Sequence, residues 1–362
     1  MKLYDLYTPN VWELVLLLAN VIIALIYFIA KKDKFSDKSI QYITWAYIVI
    51  IGIVSAFRPI GKEGFSDSLM YIEWFEYAKL HKAPIHYKDI GFDFYQLILS
   101  FVTNTRGFFV CTTIFFLLML IAVGKKINRK YYFLIIPLFL GTEMYFGIMN
   151  VLIRNGLAML LFLLAFFSKN TYKQIVGFAM SVLFHKSLII VVFFYYLIRW
   201  TKIPFRYLLA IWGLLIPFTL IFKNHWFYLL EGFSFDDRFN YLFETTVSSG
   251  YYYPTGFRWD FLILSLIVVV YGCYHIYFQG YRNKAYSRLF QLFLVVNSFW
   301  IIIMYANHTF RFFILSWFLV PLILGMPLLD SSCFSKKKYN YYQLVIVLTT
   351  FSVFMYFKRL FF

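Results

Sequence analysis

Apolar runs of about 20 residues recur along the whole chain, and a chain so built has little choice of solvent. About 20 mostly apolar residues are needed to cross a hydrocarbon core about 30 Å thick. Such runs lie at 11–30, 40–57, 107–123, 131–148, 150–168, 204–222, 259–278, 286–306, 309–327 and 340–357. The stretch 173–199 is also apolar but carries His185-Lys186-Ser187 near its middle. A lysine at mid-membrane costs about 2.5–3.5 kcal/mol, so the stretch is expected to be two short helices meeting at that trio. The expected fold is an all-α polytopic membrane protein, one transmembrane domain over residues 1–362 with about 12 spanning helices. The first run is too long for a signal-peptide core and is expected to be a permanent span. Residues 92–103 form an amphipathic piece too short to span.

Composition agrees with this solvent. Hydrophobic residues make up 62% of the chain and charged ones 14%, against roughly 25% charged in a soluble domain. Mean hydropathy is +0.71. The net charge of +17 does not mark a nucleic-acid binder, because the Lys and Arg residues sit in short clusters between the apolar runs. With the N-terminus outside, the inner segments are 31–38, 124–130, 168–173, 199–206, 279–288 and 330–339. These hold 19 of the 34 Lys and Arg residues but 3 of the 17 acids, the bias that the positive-inside rule requires. Cys111, Cys273 and Cys333 follow no metal-ligand or disulfide spacing and read as packing residues.

Two outer loops are long, at about 58–90 and 223–258. The first contains a helix pattern from Ser66 to Leu80, with Asp67 in its first turn, where a negative charge is favoured. The second is rich in Tyr and acids and includes Tyr251-Tyr252-Tyr253-Pro254 and the pair Asp236-Asp237. The charges hardest to explain structurally map to the same outer side. Arg58 ends the second span, Arg154 lies about one turn inside an apolar helix, His185 and Lys186 occupy the helix break, Arg258 precedes a span, and Arg311 begins another with His308 on the same face. A lone terminal arginine commonly snorkels to headgroups, but Arg154 is flanked by Val151-Leu152-Ile153 and Leu157-Ala158-Met159 and sits too deep for that. Several such arginines on one side suit a polyanion, because the guanidinium fork donates two parallel hydrogen bonds to phosphate. Glu143 is a further acid near the outer side.

These residues resemble a known pattern. Phe57-Arg58-Pro59-Ile60-Gly61 followed by Asp67 and Tyr71 resembles the first outer loop of the EpsG-like branch of Wzy polysaccharide polymerases. Asp89-Ile90-Gly91-Phe92 resembles that family's acid-x-Gly-aromatic step, with Asp where Glu is commoner. Ile153-Arg154-Asn155-Gly156-Leu157-Ala158 resembles its Arg-x-x-x-Ala helix, Phe184-His185-Lys186-Ser187 its Phe-His-Lys-Ser signature, and Arg311 its late helix-start arginine. The likeness runs over about residues 1–330; the loop 223–258 matches nothing in it.

The resemblance implies an extracytoplasmic glycan polymerase of the bacterial cytoplasmic membrane, with a fold related to the multi-span GT-C glycosyltransferases. Donor and acceptor would be undecaprenyl-diphosphate-linked oligosaccharides, and a flippase and a chain-length regulator would be partners; no nucleic acid is expected. Such chemistry needs cations for the departing lipid diphosphate, with Arg154, Arg58, Arg311, Lys186 and Arg258 as candidates and Tyr71 as a further binding residue. It also needs a base for the acceptor hydroxyl. His185 suits by its ordinary pKa near 6.5, and Asp67 and Glu143 compete with it. Because arginines can neutralise the diphosphate, no metal is expected. Three rivals share much of this pattern: a lipid-oligosaccharide flippase, an O-antigen ligase and a polysaccharide O-acyltransferase. A flippase would need polar residues along a path open to both sides, whereas here they gather at one face.

Overall fold

The structure, a computed structural model, describes residues 9–30, 36–60, 66–85, 89–223, 256–306, 309–329 and 334–361. Among them every regular element is helical. Among the described residues, six helices are long and apolar enough to cross a membrane: Asp37–Ala56, Thr105–Ile127, Phe205–Phe222, Trp259–Phe278, Lys284–Ile302 and Phe310–Leu329. Shorter apolar helices cover Leu14–Ile29, Ile90–Val102, Ile153–Phe166 and Leu188–Thr201.

The chain forms two compact units, Met1–Leu188 with Gly325–Phe362, and Ile189–Leu324. The first unit contains α1 (Pro9–Ala30), α2 (Asp37–Ala56), α3 (Ser66–His81), α4 (Ile90–Val102), α5 (Thr105–Ile127), α6 (Ile135–Leu140), α7 (Glu143–Asn150), α8 (Ile153–Phe166), α9 (Thr171–Phe184) and the C-terminal helix Phe334–Phe361. Its outer surface is oily. Leu18, Ile22, Leu25 and Ile29 of α1, and Val49, Ile50 and Ile53 of α2, are each more than half exposed. Contiguous apolar surface of this kind is an aggregation hazard in water and costs nothing against lipid tails. The interior holds the polar groups instead. The Tyr27 hydroxyl meets Thr44 at 2.6 Å, joining α1 to α2, and Asn20 donates to the Leu140 carbonyl at 3.1 Å. Tyr341 of the C-terminal helix donates to the Leu134 carbonyl.

One expectation needs correction. The run 131–148 is not a straight span: it breaks into a 3₁₀ turn at Tyr132–Leu134, then α6, then α7. A proline inside the run, Pro137, has no N–H for the ladder, and the chain turns at Gly141, whose N–H bonds back to the Pro137 carbonyl at 2.8 Å. By contrast 173–199 does divide as its lysine suggests, into α9 and α10 (Leu188–Thr201).

Helices α8 and α9 form a tight antiparallel pair. A Cβ on Gly177 of α9 would lie 2.7 Å from the Ala165 Cβ of α8; α7 packs as closely on the other helix of the pair, a Cβ on Gly156 of α8 lying 2.7 Å from the Ile148 carbonyl oxygen. Small residues are what lets helix backbones approach in a membrane. This pairing brings the start of α8 and the end of α9 to the same end of the unit.

The second unit contains most of α10 with α11 (Phe205–Phe222), α12 (Trp259–Cys273), α13 (Lys284–Ile302) and α14 (Phe310–Trp317). One amide ties four of them together. Buried Asn297 accepts from Trp212 Nε1 at 2.8 Å and donates to Ser265 Oγ and Ser316 Oγ, each at 3.1 Å. Replacing Asn297 by leucine leaves three polar groups without that partner. It is expected to destabilise the unit by about 2–3 kcal/mol, at roughly 0.6–1 kcal/mol for each hydrogen bond. Thermal unfolding in detergent would register this as a midpoint lowered by several degrees.

Candidate active site

Asp89 is the centre of the site, although its neighbours look more conspicuous in the sequence. It precedes α4, and its own carbonyl accepts from the Phe92 and Asp93 N–H groups at 2.9 and 3.0 Å, which starts the helix. Its side chain makes no cap bond to α4 and turns across to other elements. Oδ1 accepts the backbone N–H of Lys186 at 3.0 Å. Oδ2 lies 2.7 Å from Arg154 Nη1 and 3.6 Å from His185 Nδ1, with the Asp89 side chain fully buried.

Local sequence explains how this junction closes. Gly91 lets the start of α4 approach the end of α9: a Cβ there would sit 3.0 Å from the Leu183 backbone carbon and 2.9 Å from the Phe184 ring. The helix α9 ends at Phe184, and His185 turns to extended backbone (φ −156°, ψ 109°). Its N–H still bonds back to the Ser181 carbonyl at 3.0 Å, but the next N–H, that of Lys186, is the one taken by Asp89. An unwound turn beside an apolar helix needs such a partner. Arg154 enters from the first turn of α8, and its guanidinium lies over the Trp74 ring at 5.4 Å.

Burial alone would push the Asp89 carboxyl up. The contact from His185, the charge of Arg154 and the Lys186 N–H outweigh it and hold the group well below the usual carboxylate range. Asp89 is therefore an anion at any pH of growth. Its charge balances that of Arg154, and the imidazole of His185, its side chain 10% exposed, presents Nδ1 to the carboxylate.

The helix α3 supplies the aromatic wall. Tyr71, Trp74, Phe75 and Ala78 are buried at helical spacing while Leu69 and Leu80 face out, so the amphipathic pattern of the first loop is real and its inner face covers the site. Tyr71 packs on Trp74 and Phe92, with ring centroids 5.8 and 5.5 Å apart. Burial pushes its phenol up to about 12, with partial relief from Arg154, which leaves it a neutral hydroxyl and not a base. Asp67 is half-exposed one turn earlier and close enough to Tyr71 to oppose its ionisation.

Arg58 is fully buried beside this wall. Its Nη1 donates to the Ser55 carbonyl at 2.7 Å and to Thr113 Oγ1 at 3.4 Å, and its Cζ lies 4.6 Å from the centre of the Phe109 ring. Its Nε and Nη2 have no hydrogen-bond partner among the described residues. Arg106 donates to the Arg58 carbonyl at 2.6 Å.

The structure thus gathers Arg154, His185, Tyr71 and the Lys186 backbone around Asp89, with Asp67 and Arg58 close to Tyr71. The Lys186 side chain is exposed. Arg258 and Arg311 belong to the second unit. Arg258 closes a two-pronged pair with Asp260, at 3.0 and 2.7 Å, and lies over Phe261 at 4.1 Å; Arg311 is exposed on the first turn of α14. Glu143 begins α7. His308, Asp236, Asp237 and most of the loop 223–258 lie outside the described residues.

Sequence reasoning passed over two participants. Asp89 was visible as half of an acid-x-Gly step, and the glycine was the signal: a glycine at the second position of an otherwise bulky helix marks a close approach. Trp74 carried no signal beyond its place on the inner face of α3.

Comparison with known proteins bears on one point. The EpsG family model matches residues 59–361. No curated protein and no solved structure shows significant similarity.

Proposed function

The chain belongs to the EpsG family, and from that premise we propose that it is a glycosyltransferase, a polymerase that joins lipid-linked oligosaccharide repeat units into a surface polysaccharide. The growing chain, held through a diphosphate on undecaprenol, is transferred to a hydroxyl of the next lipid-linked unit. The bond between the sugar anomeric carbon and the diphosphate oxygen breaks, the acceptor oxygen bonds to that carbon, and the acceptor proton passes to His185. The observation that carries this is the buried Asp89 carboxylate 2.7 Å from Arg154 and 3.6 Å from His185.

Each residue then has a distinct part. Asp89 holds the imidazole with Nδ1 inward, so Nε2 accepts the proton; a base so placed contributes on the order of 10²–10⁴-fold. The remaining N–H groups of Arg154 and the Lys186 ammonium face the developing charge on the diphosphate, where fixed donors stabilise the transition state most; Arg58, fully buried, adds its positive charge from within the protein. These cations take the part that a metal would otherwise supply. Tyr71 and Trp74 offer an apolar, hydroxyl-tipped wall of the kind that stacks on sugar rings. Arg258 and Arg311 belong to the second unit and are given no part in this scheme. Asp67 is a second acceptor-side group.

The site faces the exterior of a bacterial cytoplasmic membrane, in a GT-C-related arrangement of about 12 spans. The charge bias of the inner segments supports that orientation. A flippase supplies the lipid-linked units and a chain-length regulator limits the product. Gathering at one end of the first unit favours this over a flippase, whose polar groups would line a path across the membrane.

The test is His185→Ala expressed in a strain lacking the gene. Glycan ladders should collapse to single repeat units while the protein remains in the membrane. Loss of every external unit would instead mean a flippase, polymer left on its lipid would mean a ligase, and polymer of normal length lacking acyl groups would mean an acyltransferase.

A further inference from the structure

The helices that carry the site at one end carry a second feature at the other. Where α5 ends and where α8 turns into α9, a cavity of about 960 Å³ is lined by Lys125, Lys126, Arg129, Lys169 and Lys173. Among the described residues, no acid lines it. With helices of 14 residues between, it stands about 21 Å from Arg154 and His185, at 1.5 Å per residue. The proposed chemistry makes no use of it.

Positive residues at inner helix ends are common as a topology signal, and a belt of them needs no ligand. Three observations separate this cluster from a belt. The five cations, all exposed, come from two separate connections yet line one concavity. Its wall also includes Ile127 and Phe167, apolar groups that a site for a fully hydrated ion would not need. Finally, an apolar stripe leaves the cavity along the outer face of α9: Tyr172, Ile175, Val176, Met180 and Leu183 are exposed by 75, 53, 42, 37 and 41%. Their spacing of three and four residues puts them on one helical face, beside Lys173. The start of α9 is capped by Asn170, whose Oδ1 accepts the Lys173 N–H at 3.0 Å, and its dipole still favours an anion at the same place.

We propose that this basin binds a phosphate-bearing anion, with the headgroup of an anionic membrane phospholipid as the source and its acyl chain lying along the α9 stripe. Cations hold the phosphate, Phe167 and Ile127 contact the glycerol and first methylenes, and the stripe provides the oily track. The site is independent of the glycosyl transfer proposed above and would stand if that chemistry proved different.

The test uses the full chain in detergent, with short-chain phosphatidylglycerol, short-chain phosphatidylcholine and inorganic phosphate as separate probes in native mass spectrometry. The basin variant is Lys125→Gln with Lys169→Gln and Lys173→Gln. The control removes the same charge elsewhere, as Arg282→Gln with Lys284→Gln and Arg288→Gln, from a smaller basic pocket of the second unit. An attraction worth about fivefold per cation at an anionic headgroup predicts roughly 100-fold weaker phosphatidylglycerol retention in the basin variant. The control should retain it, and phosphatidylcholine should bind weakly to both. Equal losses in the two variants would reduce the basin to a topology belt and overturn the proposal, as would no binding of either anion. Inorganic phosphate binding as tightly as the lipid would support the anion site but assign it to a soluble phosphate. Should the triple variant fail to fold, Lys169→Glu alone, at an exposed turn position, must still weaken retention by more than fivefold.

Discussion

Asp89→Asn is expected to abolish long polysaccharide while leaving the protein folded in the membrane. Asparagine keeps the size of the side chain, and its Oδ1 can still accept the Lys186 N–H now bonded at 3.0 Å. What it loses is the charge that orients His185 and balances Arg154. The imidazole is then free to present the wrong nitrogen, and the rate should fall by the worth of an oriented general base, about 10²–10⁴-fold. Because Asp89 is held well below the usual carboxylate range, it confers stability at neutral pH that is lost only as the pH falls through that lowered value. Mild acidification should therefore leave the Asp89 charge, and the stability it confers, in place. Glycan ladders and membrane-fraction blots are the measurement, and a ladder of normal length in Asp89→Asn would remove Asp89 from the mechanism.

Arg154→Ala should cost both activity and stability. The substitution leaves a buried carboxylate without its partner at 2.7 Å, a change worth about 3–5 kcal/mol for a buried pair. Loss of polymer in that variant alone would be ambiguous. Arg154→Gln combined with Asp89→Asn separates the two effects, because a neutral amide pair has no unpaired charge. The double variant should recover most of the thermal stability and none of the polymer. Recovery of polymer as well would make the ion pair a brace between α8 and the start of α4, and nothing more.

The site is more compensated than a reading of its cations alone implies. Arginine at a lipid-diphosphate site suggests a positive cleft waiting for an anion. Here the deepest arginine of the first unit that borders the exposed surface already has a carboxylate, and Arg258 of the second unit has one as well. A buried guanidinium without a carboxylate carries a large desolvation cost, which at Arg58 is offset by the Ser55 carbonyl, Thr113 and the Phe109 ring. A carboxylate partner lowers that cost and fixes the fork of Arg154, and the exposed side chain of Lys186 adds a further positive charge.

The amino-acid sequence by itself determined the solvent, the helical class and the helix break at His185-Lys186-Ser187. Each follows from local quantities: apolar run length against bilayer thickness, the backbone's need for internal hydrogen bonds in lipid, and the penalty on a lysine at mid-run. It also marked Arg154 and His185, since a polar group within an apolar run is conspicuous wherever the run folds. Tertiary structure alone decided which groups meet. Asp89 is bonded to a backbone group 97 residues away, a pairing set by the close packing of α8 on α9 and by the approach that Gly91 permits. Likewise the break-up of 131–148 followed from packing and from Pro137, because hydropathy measures how apolar a segment is and not whether its axis stays straight.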